Sequence, residues 1–76
     1  MTLDRALAQS PDSISPRVLR ALVRLHWPGL VYELAAKIRL NPSSLSSGLS
    51  GKVPLKPEVI RRILVALALE EKARYE

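Results

Sequence analysis

The chain is 76 residues long, which is enough for one small domain with a core of modest size. It has no Cys and a single His, so the composition excludes a disulfide framework and metal sites built from thiolates or histidine clusters. Lys and Arg outnumber Asp and Glu by 12 to 7, which gives a net charge of +5. This charge favours an anionic partner but does not separate DNA from RNA or from an acidic protein.

Two helices are predicted in the first third of the chain. Residues 3–9 form a short one, with Leu3 and Leu7 on the same side. Ser15 is placed to cap the second helix, whose first residue is Pro16. This helix ends at a Trp-Pro-Gly corner. Its apolar stripe consists of Val18, Leu19, Leu22 and Leu25. Its basic stripe is interpreted mainly as the solvent face, with direct contact to DNA as the alternative, and consists of Arg17, Arg20 and Arg24.

The most informative stretch covers residues 34–52 and predicts two short helices separated by a tight turn. The first helix spans about residues 30–38, and its apolar residues follow helical spacing. The second spans residues 42–49, begins with Pro, and is capped by Asn41. It carries four serines around one central Leu, and Gly51 marks its end. The arrangement is a helix-turn-helix whose second helix is slim and polar enough to enter a DNA major groove.

The last helix is predicted to begin near Pro57 and to reach Lys72 or beyond. One Ile and Leu stripe would suffice for packing inside the domain, but further apolar residues widen it beyond one face. In so small a chain, we expect a second copy to cover the wider face and therefore predict a homodimer. The alternative is a monomer in which the N-terminal helix covers that surface. The predicted dimer interface consists of Val59, Val65, Ala66 and Leu69.

No segment alternates polar and apolar residues over more than a few positions, so no sheet is predicted. The expected fold is all-α, a compact bundle of four to five helices in a single domain. Residues 1–14 form a short N-terminal helix or arm, and residues 15–76 form the helix-turn-helix part. The longest apolar run is too short to span a bilayer, and the N-terminus lacks a signal-peptide pattern. We therefore expect a cytoplasmic protein, associated with the nucleoid when bound to DNA.

The helix-turn-helix stretch resembles the DNA-binding domain of the Cro and lambda-repressor-like transcription regulators. In that family a Leu-Ala pair is followed by a spaced aliphatic residue, a turn, and a recognition helix that begins with Ser or Thr around an aliphatic residue. Ser-Gly or Asn-Gly and a basic residue then follow. The resemblance extends more weakly over about residues 16–69. The matching positions are Leu34, Ala35, Ile38, Leu40, Ser43, Ser44, Leu45, Ser46, Ser50, Gly51 and Lys52.

Three positions depart from the family pattern. Arg39 stands where the turn usually has Gly, at a cost of about 1 kcal/mol if its backbone is left-handed. Gly48 replaces an aliphatic residue, so we expect either that Leu49 turns inward or that the helix ends early. Val31 stands where the family often has a Gln that contacts DNA, so that contact is not expected here.

The resemblance implies which residues contact DNA. Those predicted to face base edges are Pro42, Ser43, Ser44 and Ser47. Those predicted to contact phosphates are Arg39, Asn41, Ser46, Ser50 and Lys52. Capping and turn formation are the alternative roles for the serines and for Asn41, and a solvated loop charge is the alternative for Lys52. No catalytic or metal-binding residue is expected.

These features predict a small, sequence-preferring double-stranded DNA-binding protein, a repressor-like transcriptional regulator without a cofactor or small-molecule substrate. The recognition helix lacks Arg and Gln, so modest specificity is expected. A two-fold dimer would bind half-sites about 34 Å apart. The alternative function is a protein-interaction module or antitoxin-like regulator that binds a second protein through its last helix. An enzyme is not expected because paired carboxylates are scarce and no Gly-rich phosphate loop follows a strand.

Overall fold

The computed structural model describes the backbone of residues 2–75 and the side chains of residues 2–73. Met1 and Glu76, the outer ends of the two predicted regions, lie outside the described residues. Residues 2–75 form five α-helices and one 3₁₀ turn and contain no strand, which confirms the all-α prediction. Within this range, no helix is both long and apolar enough to cross a bilayer. The elements are α1 (Leu3–Ala8), the 3₁₀ helix (Pro11–Ser13), α2 (Pro16–His26), α3 (Val31–Lys37), α4 (Pro42–Leu49) and α5 (Pro57–Tyr75).

The observed helix starts follow from proline and from local capping. The Ser15 hydroxyl accepts a hydrogen bond from the Val18 N–H at 3.2 Å, and Pro occupies the first position of α2. The Asn41 side-chain oxygen accepts from the Ser43 N–H at 2.8 Å, and Pro again occupies the first position of α4. These interactions are local in sequence, so the predicted boundaries of α2 and α4 agree closely with the structure.

The corner between α2 and α3 is stabilised by two side-chain hydrogen bonds to the backbone of Leu30. The Trp27 indole N–H donates to the Leu30 carbonyl oxygen at 3.0 Å. The Leu30 N–H in turn donates to the Glu33 carboxylate at 3.2 Å, which satisfies a backbone donor at the start of α3 without a Ser or Thr cap. At the other side of the corner, His26 Nδ1 lies 3.2 Å from Glu71 Oε2 and joins the end of α2 to α5.

The core is organised around α5, which packs against α1, α2, α3 and the 3₁₀ helix. Leu3, Ala6 and Ile14 are buried in the same core as the later helices. The N-terminal segment is therefore a packed part of the single domain, and α1 packs against α5. It leaves Val65 and Leu69 exposed, so it does not cover all of the surface that the monomer alternative assigns to it. The largest fully buried side chains are Leu19, Leu22, Leu34, Leu45, Ile63 and Leu67.

The four residues predicted for the dimer interface do not share one exposed surface. Ala66 is buried in the core of the chain itself, and Val59 is half-buried on the side of α5 nearest α4. Val65 and Leu69 remain 45% and 56% exposed on another side of α5. Successive residues of a helix are about 100° apart, so Val59 and Val65 point in different directions. In the single chain, therefore, only Val65 and Leu69 of the four present exposed apolar surface for the predicted interface, which stays a prediction.

The turn between α3 and α4 depends on Arg39, whose φ of 58° lies in the left-handed region. This conformation lets the Arg39 N–H donate to the Ala36 carbonyl at 3.2 Å and the Leu40 N–H donate to the Ala35 carbonyl at 2.8 Å. The pair of bonds is a Schellman motif, which normally uses Gly at this position. A charged L-residue therefore occupies a conformation that costs about 1 kcal/mol.

Candidate nucleic-acid interface

Helix α4 has one side in the core and one side in solvent. Leu45, Gly48 and Leu49 are buried, whereas Ser43, Ser44 and Ser46 are exposed and Ser47 is half-buried. The hydroxyls of the three exposed serines take part in none of the side-chain hydrogen bonds within residues 2–73. These hydroxyls are therefore available as donors and acceptors to a ligand that lies along the outer side of α4.

Gly48 is buried because a residue from the following loop occupies the space of its missing side chain. A Cβ atom at Gly48 would overlap the Leu55 side chain, at Cγ and at both methyl groups. The sequence predicted either that Leu49 turns inward or that α4 ends early. Leu49 is buried and α4 continues to its predicted end, so the first of these expectations is confirmed. The glycine thus lets Leu55 pack directly on the α4 backbone and fixes the loop beside the serines.

The end of α4 is closed by bonds that converge on one carbonyl group. The Ser47 carbonyl accepts from the Lys52 N–H at 3.0 Å and from the Ser50 hydroxyl at 3.1 Å. Gly51 has a φ of 82°, which the turn requires, and its N–H donates to the Gly48 carbonyl at 3.2 Å. The Ser50 hydroxyl proton is therefore already committed. Since a phosphate oxygen needs a donor, Ser50 fits a capping role better than the predicted phosphate contact.

Asn41 and Pro42 lie at the exposed start of α4. The Asn41 side-chain oxygen is occupied by the cap, but its amide nitrogen is a donor that the cap does not use. Pro42 presents only its ring, so it can offer an apolar contact and no hydrogen bond. The predicted cap at Asn41 is confirmed, and the cap is compatible with a phosphate contact from the same side chain.

Two grooves border the serines of α4. The first, here named the loop groove, lies between α4 and the segment that precedes α5, and it brings Ser43, Ser44 and Ser47 beside Lys56. Sequence reasoning missed Lys56 because it follows a Val-Pro-Leu stretch that shows no helical periodicity. The groove is lined by Leu40, Ser43, Ser44, Ser47, Val53, Pro54, Leu55, Lys56 and Val59.

The second groove, here named the arginine groove, lies between α4 and α2. It places Ser46 and Ser50 beside Arg20 and Arg24, with Val31 at the start of α3 also at its edge. Both arginines are exposed and follow i, i+4 spacing, so they lie on the same side of α2. That spacing was the only sequence signal for this arrangement. The sequence favours a solvent face for the basic stripe of α2 over direct contact, and the structure places two of its three exposed members beside the exposed serines.

The remaining predicted phosphate residues lie at different places. Lys52 is exposed directly after α4, where its backbone N–H closes the helix end. Arg39 instead lines a third groove, here named the α5 groove, between the end of α3 and the outer side of α5. That groove is lined by Lys37, Ile38, Arg39, Glu58, Arg61, Arg62, Val65, Ala66 and Leu69. Arg39 is thus grouped with the cations of α5 rather than with the serines.

Positive charge is concentrated in the segment that contains α2, α3 and α4. Residues 15–57 include seven of the twelve Lys and Arg residues but only one of the seven acidic residues, Glu33. The Glu33 carboxylate accepts the Leu30 N–H at the start of α3, where the helix dipole also favours a negative group. Outside this segment, acidic residues slightly outnumber basic ones. Of these seven cations, Arg20, Arg24 and Lys56 border the serines of α4.

Comparison of the chain with protein-family models, with curated proteins and with solved structures found no match. The candidate interface is accordingly defined by its own side chains: exposed hydroxyls on one short helix, two flanking grooves, and cations at the edge of each groove.

Proposed function

We propose that this chain is a small double-stranded DNA-binding protein that inserts α4 into the major groove and acts as a repressor-like transcriptional regulator. In this proposal α3 and α4 form a helix-turn-helix, as in the Cro and lambda-repressor-like regulators that the sequence resembles. The observation that carries the proposal is the outer side of α4, where exposed serines lie between grooves lined by Arg20 and Arg24 on one side and by Lys56 on the other.

The geometry of α4 suits a major groove better than a flat protein surface. Its exposed side carries Ser rather than long side chains, so the helix backbone can approach base edges closely. Cations at the borders would meet the two phosphate strands that flank the groove, where they release counterions and supply most of the affinity. Ser43 and Ser44 are proposed to contact base edges, and Ser46 a phosphate.

The proposed interface predicts modest sequence specificity. Hydroxyls can donate or accept and so discriminate weakly between bases, and none of the residues on α4 can make a bidentate contact. Pro42 and the exposed Val53 add apolar surface that fits thymine methyl groups. DNA shape and water-mediated contacts would supply part of the sequence preference.

A salt titration of duplex binding tests the proposal. Four cations near α4, namely Arg20, Arg24, Lys52 and Lys56, predict a slope of log K against log salt of about −3 to −4. Duplexes selected from a random pool serve as the probe, and the single strand of the same sequence serves as the control. No duplex binding at low salt, or equal affinity for the single strand, would contradict the proposal.

A homodimer stays a prediction, and the selected duplexes test it as well. A two-fold dimer would enrich inverted repeats with half-sites about 34 Å apart, whereas a monomer would enrich a single short site. The only strongly exposed apolar residues among those predicted for the interface are Val65 and Leu69. Sedimentation of the chain with and without duplex measures the stoichiometry directly.

A further inference from the structure

The α5 groove has a buried apolar floor and one apolar wall that is exposed to solvent. Ile38 and Ala66 are buried and close the floor, while Val65 and Leu69 project beside them and are largely exposed. The groove has a volume of about 530 Å³ and lies outside the two grooves that border α4. The groove is therefore large enough to receive side chains of another molecule.

The rim of this groove is positively charged. Lys37 and Arg39 lie on the α3 side, and Arg61 and Arg62 lie on the α5 side. The only acidic lining residue is Glu58, whose carboxylate accepts from the Arg62 guanidinium at 2.8 Å. Even after this ion pair is subtracted, three cations surround the apolar floor.

We propose that the α5 groove binds an acidic amphipathic segment of a partner protein. The apolar side chains of the segment pack against Val65 and Leu69, and its carboxylates face the cationic rim. Complementary charge steers such a segment to the groove and fixes its orientation. A second copy fits less well, because a two-fold contact places the same patch against itself and sets the cations of one rim against those of the other. A duplex would match the rim but not the apolar floor.

This inference does not depend on DNA binding. The α5 groove shares no lining residue with the loop groove or the arginine groove, so a partner could bind there while α4 is occupied. Loss of duplex binding and loss of segment binding are therefore separate results, measured with different probes on the same full-length chain.

The probe is a synthetic helical peptide of about 16 residues with Leu at positions i, i+3, i+4 and i+7 and Glu on the flanks. The matched control peptide has Gln in place of each Glu. By fluorescence anisotropy we expect the Glu peptide to bind at least about tenfold more tightly, and we expect the difference to shrink with salt. In NMR spectra of the protein, amide shifts should change at residues 37–39 and 61–69 but not at residues 43–52.

Variants of the protein test the apolar wall and the cationic rim of the groove separately. Leu69→Ser should weaken peptide binding by about tenfold, because an apolar contact is lost from the wall. Arg61→Gln should weaken it by about threefold through loss of one rim charge. Leu25→Ser is the matched control, since Leu25 is also exposed but lies outside the α5 groove. Circular dichroism and melting verify that each variant folds, which is expected because all three side chains are exposed.

Four results would overturn the inference. The Gln peptide could bind as tightly as the Glu peptide, or the amide shifts could centre on α4. Leu69→Ser could leave peptide binding unchanged in a folded variant. Sedimentation could reveal a dimer that Leu69→Ser dissociates, which would assign the groove to a second copy of the chain.

Discussion

Ser44 is the third residue of α4, one turn after the Asn41 cap, and its side chain is exposed. A Glu at this position can accept a hydrogen bond from the N–H of the cap residue and complete a capping box. Its negative charge also suits the positive end of the helix dipole. The same charge would repel a phosphate backbone, so one substitution has opposite effects on stability and on the proposed DNA contact.

Ser44→Glu is expected to leave stability unchanged or raise it by about 0.5 kcal/mol, and to lower duplex affinity by at least tenfold. Thermal melting and duplex binding at fixed salt measure the two effects. Ser44→Gln is the matched control, because it can form the same capping box without a charge. If Ser44→Glu binds duplex as tightly as the unmodified chain, α4 does not lie in the interface.

Substitutions of Arg39 separate the energetic cost of its left-handed backbone from the effect of its charge. Arg39→Gly is expected to raise the free energy of unfolding by about 1 kcal/mol, because Gly adopts a φ of 58° without steric cost. Urea unfolding measures the change. Arg39→Lys retains the charge and the strained conformation, so its stability should stay near that of the unmodified chain. A destabilised Arg39→Gly would mean that the Arg39 side chain contributes more through its contacts than its backbone costs.

At the scale of elements, the contact between Gly48 and Leu55 couples α4 to the loop before α5. An Ala in the middle of a helix is normally favoured over Gly by about 1 kcal/mol. At Gly48, however, the added methyl group would overlap the Leu55 side chain. Leu55 would have to move away from α4, and the loop groove beside the serines would change shape with it.

Gly48→Ala is therefore expected to destabilise the protein by about 1–3 kcal/mol despite its higher helix propensity. Combining it with Leu55→Ala removes the overlap, so the double variant should be less destabilised than the sum of the single variants by at least about 1 kcal/mol. Chemical denaturation of all four proteins gives this coupling energy. Additive effects would show that the close approach of Leu55 to Gly48 does not persist in solution.

At the scale of the whole molecule, α5 is the element against which α1, α2, α3 and the 3₁₀ helix all pack. Ile63 is fully buried and faces the core, whereas Val65, two residues later, is largely exposed. A domain of this size has a total stability of only about 4–11 kcal/mol. A cavity beneath α5 is therefore expected to affect the entire fold.

Ile63→Ala should cost about 2–5 kcal/mol of stability, and Val65→Ala, the matched control on the exposed side, no more than about 0.5 kcal/mol. Both values follow from urea unfolding monitored by circular dichroism. Equal effects of the two substitutions would mean that α5 is rotated relative to the structure described above.

Several features could be predicted from the sequence because their causes are local. Pro16, Pro42 and Pro57 begin helices, and Ser15 and Asn41 cap two of them within three residues. Burial of one face of a helix also follows from spacing alone. Leu34, Leu45 and Ile63 lie on such apolar faces and are in the core.

Contacts between residues far apart in the chain could not be predicted from the sequence. Apolar residues on α5 predicted two buried sides, but the pattern left open whether α1 or a second copy covers the second side, and it did not show that Ala66 faces the core of the chain itself. Similarly, the i, i+4 arginines of α2 and the loop lysine Lys56 appeared as ordinary surface charges. Only chain packing brings them to the borders of α4.

The sequence by itself determined the helices, their limits, the all-α class and the excess of positive charge, because caps, prolines and apolar spacing act over a few residues. The tertiary structure alone decided which cations flank the serines, how Leu55 replaces a side chain at Gly48, and which apolar residues of α5 remain in solvent. These features depend on the packing of elements far apart in the chain, and that packing follows from burial of the whole core rather than from any single segment.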